Sequence, residues 1–377
     1  MGLTKFKIVF DNPQNTYYPG QTVTGQILFS VNSTRKVHGI KLTVKGDAIT
    51  TWAVYESGGT MSRAVTLTGQ EQYMHYKYYI LGSAFGPTIE FSADDYSYPF
   101  TFELPNKLPS SFEHKWGRVR YTVSATLDHG LKFDQEVKAA FTILSDYNLN
   151  TDQKALEPVD QLLSKTFGYF CYGSKPMRVN IKMPVKGYVP GQTIPIRINI
   201  DNDTGVIIER IKLSLVKKVT FRVRNPKKEI RHDKIVVAET DISPIERGEN
   251  TYEEKILVPP IPPSNLTNCS LIDIEYYVKL EACAHGLHAN LMNNTPVIIG
   301  TIPLEKFHSK ILPVSNTNDA SPLFPASDNY PNLPKPSYDE TICIVRKSFK
   351  EAGDGEHVIE NDQHFAPRYP VYKFKKS

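Results

Sequence analysis

The chain has 377 residues, of which 40% are apolar and 22% charged, a composition that fits two globular domains with a remainder and excludes a wholly disordered chain. Lys and Arg total 44 against 40 Asp and Glu, and a net charge of +4 argues against nucleic acid as the main partner. No run reaches the roughly 18 consecutive apolar residues of a membrane-spanning helix, and four cysteines without a CxxC pair read as reduced thiols.

Residues 1–10 contain no apolar signal segment, so the protein is expected in the cytosol. The first turn signal is Pro19-Gly20, placed directly before a strand. Val119, Tyr121, Val123, Ala125 and Leu127 then alternate with Arg120, Thr122, Ser124 and Thr126, the period of a strand with one face buried and the other wet. Residues 145–176 lose this alternation, and residues 157–163 predict at most a short helix, which places the domain boundary there. A second turn, Pro190-Gly191, opens the next strand, where Ile194, Ile196, Ile198 and Ile200 alternate with other residues, as do Ile272, Ile274, Tyr276, Val278 and Leu280 further on. After Leu312 the composition turns to Pro, Ser, Asn and Asp, which predicts an extended, accessible tail.

The two turns belong to an internal repeat. Tyr18-Pro19-Gly20-Gln21-Thr22-Val23 matches Val189-Pro190-Gly191-Gln192-Thr193-Ile194 at a spacing of 171 residues, and residues 37–42 match residues 208–213 at the same spacing. Leu104-Pro105 and Pro109-Ser110 recur as Val258-Pro259 and Pro263-Ser264, now 154 residues apart. One period of this length indicates a duplicated domain rather than a solenoid. The expected class is all-β, with two immunoglobulin-like sandwich lobes in tandem: residues 1–147, a linker at 148–176, residues 177–311, and the tail at 312–377.

The sequence contains no GxSxG, HExxH, GxxxxGK[ST] or GxGxxG pattern, so no catalytic residue and no cofactor are expected. Cys283, His285 and His288 offer two or three metal-type ligands, but a fourth is not apparent, and a strand end followed by a glycine turn is the preferred reading. Cys269 reads as a small buried residue. Residues 217–234 hold eight basic side chains against Glu229 and Asp233. Alternation puts Lys218, Arg222 and Arg224 on a solvent face, with Lys217, Lys227 and Lys228 nearby, a candidate surface for phosphate or anionic phospholipid and equally a merely solvated strand. In the tail, Lys335-Pro336-Ser337-Tyr338 and Tyr369-Pro370-Val371-Tyr372 keep the second proline and the tyrosine of a PPxY ligand for WW domains and lack the first proline. Pro336, Tyr338, Pro370 and Tyr372 are the candidate binding residues.

Tyr18-Pro19-Gly20, residues 98–111 with Tyr121, residues 187–191, and Pro262-Pro263-Ser264 leading into residues 272–280 together resemble the α-arrestin (arrestin domain-containing) family over roughly the first 310 residues. The resemblance implies two curved sandwich lobes acting as a non-enzymatic adaptor at the plasma membrane and endosomes. It also implies partners: HECT-type ubiquitin ligases with WW domains, and receptor or transporter cargo that is ubiquitinated, endocytosed and sorted. A ligase-independent sorting scaffold, similar to the arrestin-like subunit of retromer, is the second expectation. A β-sandwich enzyme or carbohydrate-binding module is the third.

Overall fold

The protein is described here by a computed structural model covering residues 3–58, 61–130, 134–167, 176–305, 335–341, 358–360 and 365–374. The first lobe contains β1 (Leu3–Phe10), β2 (Thr16–Tyr17), β3 (Thr22–Val31), β4 (Arg35–Val37), β5 (Gly39–Gly58), β6 (Met61–Gly82), β7 (Ile89–Phe91), β8 (Asp94–Glu103), β9 (Phe112–His114), β10 (Gly117–Asp128) and β11 (Gln135–Ile143). β1-β3-β8 form one sheet and β2-β11-β10-β5-β6 the other, with β9 added to β10 and β4 paired with β7. The core between them is aromatic: Phe10 meets Tyr17, Phe100 and Phe141 with ring centres 5.7–6.2 Å apart.

A 3-10 turn (Leu149–Thr151) and α1 (Gln153–Leu156) lead into the second lobe. That lobe holds β12 (Val159–Lys165), β13 (Met177–Met183), β14 (Gly187–Tyr188), β15 (Thr193–Asn202), β16 (Ile208–Val223), β17 (Glu229–Ile242), β18 (Gly248–Leu257), β19 (Ile272–Ala284) and β20 (Leu291–Ile299). Its sheets run β12-β13-β15-β18 and β14-β20-β19-β16-β17. The isoleucines of β15 alternate inward as expected, and the lobe's core is mostly aliphatic, with Tyr188, Phe221 and Tyr276 buried in it.

The duplication is visible bond by bond. The Tyr18 amide donates to Gln21 Oε1 at 2.9 Å, and the Val189 amide donates to Gln192 Oε1 at 2.8 Å. Gly20 and Gly191 both sit at positive φ, 81° and 90°, where a side chain is strained. The Tyr121 hydroxyl donates to Pro109 O, and the Tyr276 hydroxyl donates to Pro262 O. The serine that accepts from the last amide of the closing strand is Ser111 in one lobe and Ser264 in the other. The structural equivalence in this loop is therefore Ser111 with Ser264, one residue from the sequence match.

Two expectations are corrected. β12 lies within the range read as linker, 148–176, and pairs with β13 along its whole length. As an outer strand it points Leu162 into solvent and turns Gln161 inward to accept from Asn293 and Thr295, so its alternation is inverted. On β10 the polar face is buried as well, with Arg120 held by Glu113 through bonds of 2.6 and 2.8 Å.

Candidate functional site

The described segments of the tail, residues 335–341, 358–360 and 365–374, are part of the fold; the rest of residues 312–377 lies outside the described residues. β21 (Ser337–Glu340) and β23 (Arg368–Val371) pair antiparallel, with Tyr338 opposite Pro370, and an Arg368–Glu340 ion pair at 3.5 Å joins them. Between them in sequence, β22 (Val358–Glu360) adds parallel to β11. The β21–β23 pair bonds to both lobes through tyrosines. The Tyr338 hydroxyl lies 2.8 Å from the Tyr18 hydroxyl, and the Tyr369 hydroxyl donates to Ser111 O at 2.9 Å. The Tyr372 hydroxyl donates to Thr301 O at 2.7 Å, and its amide donates to Pro190 O at 2.9 Å. A side chain on Gly191 would start 2.0 Å from Tyr372 O, so this turn has room only for glycine.

These three tyrosines are at most 7% exposed. Burying an aromatic ring contributes about 1.5–3 kcal/mol, and because each hydroxyl keeps a partner no unsatisfied polar group offsets it. Burial drives the pKa of Tyr18, Tyr369 and Tyr372 far upward and that of Tyr338 to about 12. Asp146, exposed at one edge but close to these rings, is pushed up to about 6 by desolvation.

The expectation of an accessible tail is therefore corrected: Pro336, Tyr338, Pro370 and Tyr372 are brought together, all four buried. Proline-rich composition signals an absence of local periodicity. It carries no information about partners 71 to 320 residues away, and here those partners are Tyr18, Ser111, Pro190 and Thr301. Tyr18 and Pro190 lie inside the repeated Pro-Gly turns; Ser111 and Thr301 carry no such signal.

The basic cluster keeps the solvent-side placement of Lys218, Arg222 and Arg224, each half-exposed or exposed. It lies along the seam between the lobes, where the far end of the β5–β6 hairpin meets the C-terminal end of β16. Thr68 exchanges backbone bonds of 2.7–2.9 Å with Arg224 and Asn225, and Thr50 Oγ1 donates to Arg222 O at 2.6 Å. Lys217 is buried with its ammonium 5.7 Å from the centre of the Phe112 ring. Lys218 pairs with Glu275 at 2.7 Å, Arg222 with Asp273 at 4.0 Å, Arg224 with Glu71 at 3.3 Å and Lys227 with Glu56 at 2.8 Å. Lys228 is exposed. Strand alternation reveals the charge but not these carboxylates, two of which come from the other lobe.

The same seam holds Arg231, with its guanidinium 4.3 Å from the centre of Trp116 and 5.6 Å from that of Trp52, the chain's two tryptophans. His114 stacks on Phe221 at 4.7 Å and bonds to Asp233 at 3.0 Å. Burial lowers its pKa to about 4 against the upward pull of Asp233.

His285 bonds to Glu209 at 2.6 Å and His288 packs on Phe167, so the two histidines beside Cys283 are engaged separately. Among the described residues, no three metal-type side chains converge. Cys269 is half-buried beside Tyr73, and burial raises its thiol pKa.

The model of the arrestin (or S-antigen) N-terminal domain matches residues 6–150, and that of the C-terminal domain matches residues 173–304. Arrestin domain-containing protein 17 of Caenorhabditis elegans is 26% identical over 431 aligned positions, 98% of this chain and 99% of the relative. The chain is an α-arrestin. Human arrestin domain-containing protein 4 is 27% identical over 88% of this chain and 79% of its own length. Human arrestin domain-containing protein 1 is also 27% identical, over 82% and 66%. As an α-arrestin the chain belongs to an arrestin-like adaptor family, and its two sandwich lobes are the arrestin N and C domains in order.

Proposed function

We propose that this α-arrestin is a non-catalytic trafficking adaptor whose lobes engage membrane receptor or transporter cargo and whose tail offers tyrosine-centred ligands to the WW domains of HECT-type ubiquitin ligases. Cargo ubiquitination, endocytosis and endosomal sorting at the plasma membrane and endosomes follow from that link. The observation that carries this reading is the match to Arrestin domain-containing protein 17 along nearly all of both chains, tail included, so that the tail belongs to a shared architecture rather than to an appended segment.

A second reading, a ligase-independent scaffold similar to the arrestin-like retromer subunit, is favoured by the burial of Tyr338 and Tyr372. Proximity labelling in cells separates the two. Enrichment of WW-domain ligases together with membrane cargo supports the first, whereas enrichment of cargo and coat components with no ligase supports the second.

A further inference from the structure

We propose that the paired Pro-Gly turns, with Ser111 of one lobe and Thr301 of the other, form a seat that withholds the tail's Pro-x-Tyr segments from WW domains, so that ligase recruitment requires the tail to leave the lobes. The inference rests on the ligase reading above and adds its regulation.

A WW domain clamps a proline between aromatic rings and takes the tyrosine ring into a second pocket. Here the tyrosine rings are already inside the protein, and their hydroxyls are bonded to Tyr18 from one lobe and Thr301 from the other. One side chain does not occupy both places, so the two states exclude each other. Tyr338 and Pro370 also face each other across the β21–β23 pair, so each ligand segment covers the other and they are uncovered together. The seat is duplicated with the domain: Tyr18 of the first Pro-Gly turn receives Tyr338, while Pro190 and Gly191 of the second receive Tyr372. Apparent affinity for a WW partner is then the intrinsic affinity scaled by the released fraction.

The test titrates tandem WW domains of a HECT-type ligase against the full chain, against Tyr18→Phe, against Tyr18→Phe/Gly191→Ala, and against a synthetic peptide of residues 335–374 used as an unstructured ligand. The proposal expects the peptide to bind at least about a hundredfold more tightly than the native chain, a difference of about 2.7 kcal/mol. Both seat variants are expected to recover much of that gap, although their substitutions lie outside the tail, and adding Tyr338→Ala/Tyr372→Ala should remove the gain. Tyr18→Phe deletes one hydroxyl and keeps the fold testable if Gly191→Ala disturbs its turn. Equal binding by peptide, native chain and Tyr18→Phe overturns the seat and leaves the ligase reading standing. Absence of binding by the peptide overturns both.

Discussion

The hydroxyls of Tyr18 and Tyr338 stand 2.8 Å apart in the interior, although 320 residues separate them along the chain. Tyr18 belongs to the turn that opens the first repeat, so a residue that marks the duplication also anchors the tail. Removing either hydroxyl deletes this buried bond, a loss of about 0.5–1.5 kcal/mol. Tyr18→Phe and Tyr338→Phe should each lower the stability of the docked tail by that amount. The double variant should lose less than their sum, which a double-mutant cycle in denaturant reads directly.

Arg231 between Trp52 and Trp116 joins the second lobe to the first. A guanidinium over desolvated aromatic faces contributes about 1–2 kcal/mol, and a lysine lacks the planar group that stacks. Arg231→Ala and Arg231→Lys should both lower the melting temperature. Calorimetry should show the single transition of the native chain broadening or splitting as the lobes uncouple.

His114 sets an acid limit on the seam. Its folded pKa, about 4, lies below the ordinary value near 6.5, so on acidification the unfolded chain takes up the proton first. The stability tied to neutral His114 is present above about pH 6.5 and is lost as pH falls through about 4. It amounts to at most about 3 kcal/mol. Unfolding free energies measured from pH 7 to 4 should decline more steeply for the native chain than for His114→Gln.

The paired basic cluster also has a measurable consequence. Lys218, Arg222 and Arg224 already face Glu275, Asp273 and Glu71, so replacing the three with Ala should change binding to anionic vesicles by less than about twofold, while partly exposed pairs of this kind contribute up to about 1 kcal/mol each to stability. Co-sedimentation with neutral and anionic vesicles, alongside thermal melts, checks both.

Much of the fold was legible because a strand writes its burial into every second residue: the isoleucines of β15 and the apolar positions of β19 sit where the alternation put them. The repeat was legible because two Pro-Gly turns need the same positive φ, supplied by Gly20 and Gly191. β12 escaped because an outer strand inverts its pattern, with Leu162 outward and Gln161 inward. The tail and the seam escaped for a different reason. Tyr338, Tyr372, Arg231 and Arg224 were readable as chemically eventful residues, but what each does is decided by Tyr18, Pro190, Trp116 and Glu71, and no local period connects them.

Whether residues 335–341 and 365–374 are a folded part of the two lobes is read most directly from the amide of Tyr372. Its hydrogen is donated to Pro190 O at 2.9 Å inside a buried contact, in a stretch that composition alone would leave exposed to water. Hydrogen–deuterium exchange of the intact chain should find this amide protected at least about a hundredfold over an unstructured peptide, which corresponds to an opening free energy of about 3 kcal/mol or more, with Tyr18→Phe lowering the protection. Exchange at the unstructured rate in the native chain would contradict the seated tail and everything built on it.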